Sequence, residues 1–194
     1  MGNAKVVAMS WYRNLSRRDF LKTAATAAVA SGAISCGGAR TPWRFLSVNE
    51  ARCLAALCDQ LIPPDHDPGA DWARVVNYID IQLCGPYRHL RGDYRDGIAA
   101  LKQTSRQKWN TFFAQLSNEQ QCELLAALEH GEVPNELWKK PRAQGFFEMV
   151  LRHTMEGYYG DPRHGGNRDH ASWKMVGLCY PPVRGRQHHD VKDS

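Results

Sequence analysis

Two short stretches of this sequence have the form of a helix-opening capping box, the feature that most constrains the fold. Ser47-Val48-Asn49-Glu50 and Ser117-Asn118-Glu119-Gln120 each place a serine three residues before Glu or Gln. In that arrangement the two side chains bond to each other's backbone N–H groups. Apolar residues then follow at the three- and four-residue spacing of one buried helix face. Both stretches therefore predict the start of an amphipathic helix.

Stripes with the same spacing predict helices elsewhere in the chain. Asp71 is expected to cap a second helix that ends at Gly85-Pro86, and a third is expected from about Asp93 to Leu116. A fifth is expected from near Asn135, with Pro141 breaking or kinking its first turns. The large aromatic residues expected on buried faces include Trp72 in the second helix, Trp109 and Phe112 in the third, and Phe146 and Phe147 in the fifth.

The periodicity also predicts the fold class and the division of the chain. No segment shows sustained alternation of period two, so we expect an all-α protein: a single irregular bundle of about five or six helices plus a Gly-rich C-terminal loop segment. The expected parts are a leader at residues 1–36, a linker at 37–46, a helical domain at 47–180 and a flexible tail at 181–194.

The positive charge of the chain belongs mostly to its first residues. The net charge is +5 over 194 residues, but residues 1–36 hold five basic residues against one acidic residue. The rest of the chain is close to neutral, whereas binding to phosphate backbones requires a concentrated basic face. We therefore expect no nucleic-acid partner.

The leader has the pattern of a twin-arginine export signal. Its run from Thr23 to Ser35 is short and rich in alanine, which is typical of the apolar region of a signal peptide and not of a membrane span. An amphipathic N-terminal helix is the alternative interpretation. The residues that match the export pattern are Ser16, Arg17, Arg18, Phe20, Leu21 and Lys22.

Where the leader is cut is open. Ala28-Val29-Ala30 and Ser31-Gly32-Ala33 both have the small-residue form of a cleavage site. The run from Ala33 to Gly37 loosely matches a lipidation motif, which makes Cys36 a candidate for lipid attachment. Among the other cysteines, Cys53, Cys58 and Cys122 lie among apolar helical residues and are expected to be buried thiols. We expect at most one disulfide, because twin-arginine cargo folds in a reducing compartment.

The segment from Gly157 to Gly177 does not have the pattern of a core helix. Gly160 is expected to end a helix with a positive φ, and Gly165-Gly166 to allow backbone conformations that other residues avoid. Polar and aromatic groups concentrated in an ordered loop favour a partner-binding surface, although a purely structural role remains the alternative. The candidate partner-binding residues are Tyr158, Tyr159, Gly160, Asp161, Arg163, Gly165, Gly166, Asn167, Trp173 and Lys174.

No motif for catalysis, a metal or a cofactor is found. Gly160 to Gly166 matches neither form of phosphate-binding loop, and there is no Cys-x-x-Cys-His for attachment of haem. His153, His164 and His170 lack the spacing that places metal ligands on one helix face. We expect these histidines at the surface or at an interface.

Several motifs together resemble one family, subunit 3 of gluconate 2-dehydrogenase. The resemblance covers nearly the whole chain after the linker and departs from the family at Leu178-Cys179-Tyr180-Pro181, where a shorter Gly-Tyr-Pro-Gly type of ending is usual. The motifs are Leu57 to Asp65, Pro68-Gly69-Ala70, Val75-Val76-x-Tyr78-Ile79-Asp80, Tyr94 to Ile98, Phe112 to Gln121, Phe146-Phe147, and Thr154-x-Glu156-Gly157-Tyr158-Tyr159-Gly160-Asp161-Pro162-x-x-Gly165-Gly166-Asn167 with Trp173-Lys174.

The resemblance implies a non-catalytic small subunit of a sugar or polyol dehydrogenase complex. Its expected partners are a large subunit that holds FAD in a glucose-methanol-choline oxidoreductase fold, a subunit with haem c, and the twin-arginine translocase. The expected location is the periplasm, at the outer face of the inner membrane. The rival interpretation is a free-standing exported helical lipoprotein, or a small enzyme that uses His153, Asp161 and His164.

Overall fold

A computed structural model of the chain describes residues 41–178, which fall within one compact unit. The predicted export signal, Cys36, Cys179 and the predicted tail lie outside these residues. The described chain forms six α-helices and no strand, which confirms the all-α prediction. None of the helices in residues 41–178 combines the length and the apolarity needed to cross a membrane. The α-helices are α1 (Val48–Leu61), α2 (Val75–Cys84), α3 (Arg91–Trp109), α4 (Asn118–His130), α5 (Ala143–Tyr159) and α6 (Ala171–Met175).

Both predicted capping boxes are present. At the start of α1, Glu50 N donates to Ser47 Oγ at 3.3 Å, and Ser47 N donates to Glu50 Oε2 at 2.8 Å. At the start of α4, Ser117 and Gln120 make the same pair of bonds, at 3.3 and 3.0 Å. Each pair satisfies two backbone donors that the first helical turn leaves without a partner.

The predicted start of the second helix is wrong. Residues 70–74 form turns, and α2 begins at Val75 after Arg74, whose φ of 60° lies in the left-handed region. Asp71 caps no helix, and its backbone N donates to Asp59 Oδ1 at 2.9 Å. Trp72 is 42% exposed instead of buried. The Arg168 guanidinium lies 4.9 Å from the centroid of the Trp72 ring, a contact between distant parts of the chain that no local pattern indicates.

The third and fifth helices are both shorter than predicted. α3 ends at Trp109, because Asn110 takes a left-handed φ of 55°. A 3-10 turn, Phe113–Gln115, follows and buries Phe113, while Phe112 is 42% exposed. α5 begins only at Ala143, after an irregular stretch that contains a cis peptide bond between Lys140 and Pro141.

The aromatic core lies where α5 packs against α2, α3 and α4. Tyr94, Phe113, Phe146 and Tyr158 are among its largest buried side chains. The Cβ that Gly97 lacks would overlap the Phe146 ring, so this glycine permits α3 to approach α5 closely.

A buried carboxylate, Asp80 of α2, ties the start of the compact domain to the core. Its oxygens accept the backbone N–H groups of Arg44, Phe45 and Leu46 at 2.6, 3.0 and 2.9 Å. Asp80 is 1% and Leu46 2% exposed. The compact body therefore includes the last residues of the predicted linker.

The described cysteines, Cys53, Cys58, Cys84 and Cys122, are all free thiols. Cys53 and Cys58 are buried as predicted, and burial raises the pKa of each thiol to about 12. Cys122 is exposed, so its predicted burial is wrong. Its Sγ donates to Oε1 of Gln60, on α1, at 3.2 Å.

Candidate functional site

The C-terminal loop segment, residues 157–174, is held together by a buried asparagine. Asn167 N donates to the carbonyl of Gly157 at 2.8 Å, and Asn167 Nδ2 donates to the carbonyl of Gly160 at 2.8 Å. Its Oδ1 accepts the backbone N–H of Ser172 at 3.0 Å. Asn167 is fully buried and has a left-handed φ of 42°, which asparagine tolerates better than most residues. One side chain thus joins the end of α5 to the start of α6.

The glycines of this segment act mainly by allowing close approach. Gly160 has a φ of −71°, so the predicted positive φ is wrong, although a Cβ there would press on the carbonyl of Glu156. Gly165 does have a positive φ, of 98°, and its carbonyl accepts Asn77 Nδ2 at 2.7 Å. A Cβ on Gly166 would overlap the carbonyl of Gly157. The loop therefore packs on the end of α5 and on α2.

Three of the predicted partner-binding residues face the interior. Tyr158 is 2% exposed, and its hydroxyl donates to the carbonyl of Pro68 at 2.6 Å. Burial raises the pKa of Tyr158. Gly166 and Asn167 are also buried. These residues fix the shape of the segment and offer no side-chain surface to a partner.

Other predicted residues remain at the surface, beside apolar side chains that the prediction did not include. Tyr159 is 40% exposed, and Met155, one helical turn earlier on the same side of α5, is 43% exposed. The Trp173 indole N–H donates to the carbonyl of Tyr159 at 3.0 Å, which joins α6 to the end of α5. We group the exposed or half-buried apolar side chains of the last turns of α5 and of α6 with its end under the name C-terminal face: Met155, Tyr159, Trp173, Met175, Val176 and Leu178.

The end of α6 is fixed, so its exposed apolar residues are presented by ordered backbone. Gly177 has a φ of 69°, and its N–H donates to the carbonyl of Lys174 at 3.1 Å. Leu178 N donates to the carbonyl of Trp173 at 2.8 Å. These two bonds form a Schellman motif, which satisfies carbonyls at the helix end. Leu178 is 59% exposed there.

Two charged residues of the loop that follows α5, Asp161 and Arg163, pair with each other. Arg163 Nε donates to both carboxylate oxygens of Asp161, at 3.0 and 2.9 Å. Hydrogen bonds from the Arg163 side chain lower the pKa of Asp161 to about 2. The Arg163 side chain is 74% exposed, and Lys174 is exposed as well. Both cations therefore remain at the surface.

Sequence reasoning missed a polar cluster inside the bundle. His153, expected at the surface, is 1% exposed. Its Nδ1 shares a hydrogen bond of 2.8 Å with the hydroxyl of Tyr94, and its ring stacks on Tyr87 with 4.4 Å between centroids. Its Nε2 is buried and has no hydrogen-bond partner among the described residues. Burial lowers the pKa of His153.

Glu156 completes this cluster one turn further along α5. Its Oε2 accepts the hydroxyls of Tyr78 at 3.1 Å and Tyr87 at 2.9 Å. Burial first, and then this carboxylate, raise the pKa of Tyr78. The three-residue spacing of His153 and Glu156 indicates one helix face, and that was the signal available in the sequence. Hydrogen bonds to tyrosines from α2, α3 and the intervening turn make the cluster a junction between helices.

The histidines do not gather into a metal centre within the described residues, where no group of three His, Cys, Asp or Glu side chains is placed to hold an ion. His153 belongs to the core, whereas His164 is exposed. The His170 ring lies 5.1 Å from the Trp173 ring, between centroids.

Comparison with known protein families gives a match to this chain. The sequence model of gluconate 2-dehydrogenase subunit 3 matches residues 48–179, well over half of the chain. The chain belongs to this family. The match begins with α1 and takes in all six described helices and the C-terminal loop segment. Neither a curated protein nor a solved structure matches the chain significantly.

Family membership gives these contacts a context. The family's name describes one subunit of a dehydrogenase complex, so this helical body is a dehydrogenase subunit of that type. Many of the residues that suggested the family hold the fold together, as the bonds of Asp80, Glu156 and Asn167 illustrate. Some residues of the motifs that resemble the family therefore belong to the scaffold of this chain.

Proposed function

We propose that this chain is the non-catalytic small subunit of a periplasmic, flavin-dependent dehydrogenase of sugars, sugar acids or polyols. In this role it carries the twin-arginine signal for a folded, FAD-containing large subunit and stabilises that subunit after export. Haem c is held by a third subunit that receives the electrons. The observation that carries the proposal is the family match over residues 48–179, together with Arg17-Arg18 in the leader.

The proposed contact with the large subunit is the C-terminal face. It combines aromatic and methionine side chains, which are enriched at interfaces, with the exposed aliphatic residues Val176 and Leu178 and with Arg163 and Lys174 close by in the chain. Val176 and Leu178 are 54% and 59% exposed, an unfavourable environment for aliphatic side chains that a partner would relieve. The buried contacts of Asn167 hold this face in place before binding, which reduces the entropy lost on association.

The export role is tested by replacing the paired arginines. Lysine keeps the charge of arginine but lacks its planar guanidinium fork. We expect the double variant Arg17→Lys, Arg18→Lys to retain both this subunit and the flavin subunit in the cytoplasm. The measurement is dye-linked dehydrogenase activity in periplasmic, membrane and cytoplasmic fractions of the native host. Arg13→Lys, outside the motif, is the matched control and is expected to leave export unchanged.

The outcome that contradicts the export role is dehydrogenase activity outside the inner membrane in the double variant at the level of the control.

A separate measurement addresses catalysis. The purified chain alone is expected to show no dye-linked turnover and no flavin or haem absorbance, and turnover by the isolated chain would overturn the non-catalytic role.

The rival enzyme interpretation gains no support from the geometry. His153 lies in the core, its ring stacked on Tyr87. Asp161 lies beyond the end of α5, and its carboxylate is bound by Arg163. His164 is exposed. A general base needs to reach the reacting atom directly or through one water, and a fully buried imidazole does not.

A further inference from the structure

A small cavity lies between α1, α3 and the 3-10 turn at Phe113–Gln115, and the proposed function makes no use of it. Its volume is about 230 Å³. Sites for drug-sized ligands measure roughly 300–1,000 Å³, so this cavity has room for about one ring or one branched side chain. We call it the α1–α3 pocket.

One part of the pocket wall is apolar, and the amide side chains of Asn49 and Gln115 line the pocket as well. Phe113 is fully buried, Cys53 is 3% exposed, and Phe112 forms part of the lining. The Phe112 ring is held from outside the pocket by Arg106, whose guanidinium lies 4.2 Å from the ring centroid. Since burial raises the pKa of the Cys53 thiol to about 12, this wall is uncharged near neutral pH. An occupant therefore needs an apolar body of limited size.

Two cations line the same pocket. Arg52 comes from α1 and Lys102 from α3, and neither forms an ion pair within residues 41–178. The nearby acidic group is Glu50, whose carboxylate accepts the Ser47 N–H at 2.8 Å. Desolvation opposes the shift, but the hydrogen bonds from Ser47, and then the charges of Lys102 and Arg95, lower the pKa of Glu50. The residues that line the pocket include two cations and no acid. Positive charge beside apolar walls is complementary to an anion with an apolar body.

We propose that the α1–α3 pocket binds a monocarboxylate with a compact apolar body. The carboxylate lies between Arg52 and Lys102, whose charged hydrogen bonds are the strong kind. The body packs against Phe112, Phe113 and Cys53. The carboxylate has two natural sources, a free small acid or the C-terminal residue of a polypeptide.

The test uses purified full-length chain and a pair of probes that differ in charge. 4-Fluorobenzoate and 4-fluorobenzamide have nearly the same shape, and binding of either is followed by fluorine NMR titration. We expect saturable binding of the benzoate with a Kd at least about tenfold lower than that of the amide, since a charged hydrogen bond adds about that much. Equal Kd values, or no saturable binding of the benzoate, would overturn the proposal.

Variants place the binding in this pocket. Arg52→Gln and Lys102→Gln are each expected to raise the Kd of the benzoate about fivefold or more, with no change in melting temperature. Lys108→Gln is the matched control, because this lysine is on α3 but pairs with Glu123 and does not line the pocket. A Kd that responds equally to all three variants would show general charge attraction and contradict the site.

The source of the carboxylate is resolved by a second pair of probes. Acetyl-Gly-Gly-Phe with a free C-terminus is compared with its C-terminal amide. Tighter binding of the peptide acid than of the benzoate supports a polypeptide C-terminus, and binding of the benzoate alone supports a free acid. Because no partner subunit takes part, failure of this proposal is distinct from failure of the export role.

Discussion

The two sides of the C-terminal loop segment share one stretch of sequence and differ in what surrounds them. On the inner side, Tyr158 and Asn167 are at most 2% exposed, and their polar atoms bond to the backbone. On the outer side, Tyr159 is 40% exposed, and the Arg163 side chain is 74% exposed. Adjacent tyrosines therefore have opposite environments, since neighbouring helical residues point about 100° apart.

This difference separates stability from association. Removing a buried hydrogen-bonded side chain leaves backbone groups without partners, which lowers the free energy of unfolding. Removing an exposed side chain with few contacts changes that free energy by a few tenths of a kcal/mol. Substitutions on the inner side should therefore unfold the segment, and those on the outer side should affect only its contacts with other proteins. The predictions below test this contrast in order of expected effect on stability.

The largest effect is expected for Asn167→Ala. The variant leaves the carbonyl of Gly160 and the N–H of Ser172 without their side-chain partner and places alanine at a φ of 42°. We expect the free energy of unfolding to fall by about 3 kcal/mol, measured by urea denaturation. Asn167→Asp retains the acceptor for Ser172 and is expected to lose less. An Asn167→Ala variant as stable as the parent would contradict the proposed role of the inner side.

A smaller effect, which depends on pH, is expected at His153. Burial lowers the pKa of this histidine, so the folded state favours the neutral ring. The stability that the neutral His153 ring contributes is fully present above about pH 6.5, the pKa of histidine in the unfolded chain. Below that pH the unfolded chain gains a proton that the folded state disfavours, so the free energy of unfolding falls by up to about 1.4 kcal/mol per pH unit.

The measurement is the free energy of unfolding from pH 7.5 down to 5. His153→Gln keeps a neutral side chain able to bond with Tyr94 and is expected to flatten this dependence. His164→Gln, at an exposed histidine, is the control and is expected to leave it unchanged. Equal slopes for the parent and His153→Gln would show that His153 is not the group responsible.

The features predicted correctly from sequence depend on neighbouring residues. The capping boxes at Ser47 and Ser117 form within four residues, and the stripes behind them give α1 and α4. The errors arise where distant parts of the chain decide the conformation. Trp72 lies outside the core, in contact with the Arg168 guanidinium. Arg74 and Asn110 take left-handed conformations, which are usually predicted from a glycine, and neither residue is a glycine.

The sequence predicts a Gly-rich segment after the long C-terminal helix, and the structure has irregular chain between α5 and α6. The sequence does not separate the inner residues of this segment from the outer ones. Tyr158 and Tyr159 are the same residue type, and which of them is buried depends on which one packs against Pro68. His153 was misplaced because its partners, Tyr87 and Tyr94, come from a different part of the chain. A single sequence gives the composition of such a surface, whereas packing decides which members are exposed.

A modest effect is expected for Tyr158→Phe. The ring keeps its buried position, and the hydrogen bond to the carbonyl of Pro68 at 2.6 Å is lost. We expect the free energy of unfolding to fall by about 1 kcal/mol. Tyr159→Phe, which removes a hydroxyl from the exposed neighbour, is the control and is expected to leave stability unchanged. An equal loss in both variants would show that the two tyrosines do not differ as described.

The smallest effect on stability, and the largest on association, is expected for Tyr159→Ala. This side chain is exposed, and the Trp173 indole bonds to the backbone carbonyl of Tyr159, which alanine retains. The Tyr159 ring also lies edge to face with the Tyr158 ring, at 5.0 Å between centroids, and loss of this contact costs about 0.5 kcal/mol. The melting temperature should therefore fall only slightly, while the Kd for the co-purified flavin subunit should rise about tenfold or more, as for an aromatic residue at the centre of an interface. Met155→Ala, one turn away on the same side of α5, should act in the same direction. Val48→Ala, at an exposed aliphatic residue on α1, is the control and should change neither quantity.

Undiminished capture of the flavin subunit by both Tyr159→Ala and Met155→Ala would place the partner elsewhere on the bundle. A collapsed melting temperature would instead mean that the outer side, like the inner side, supports the fold.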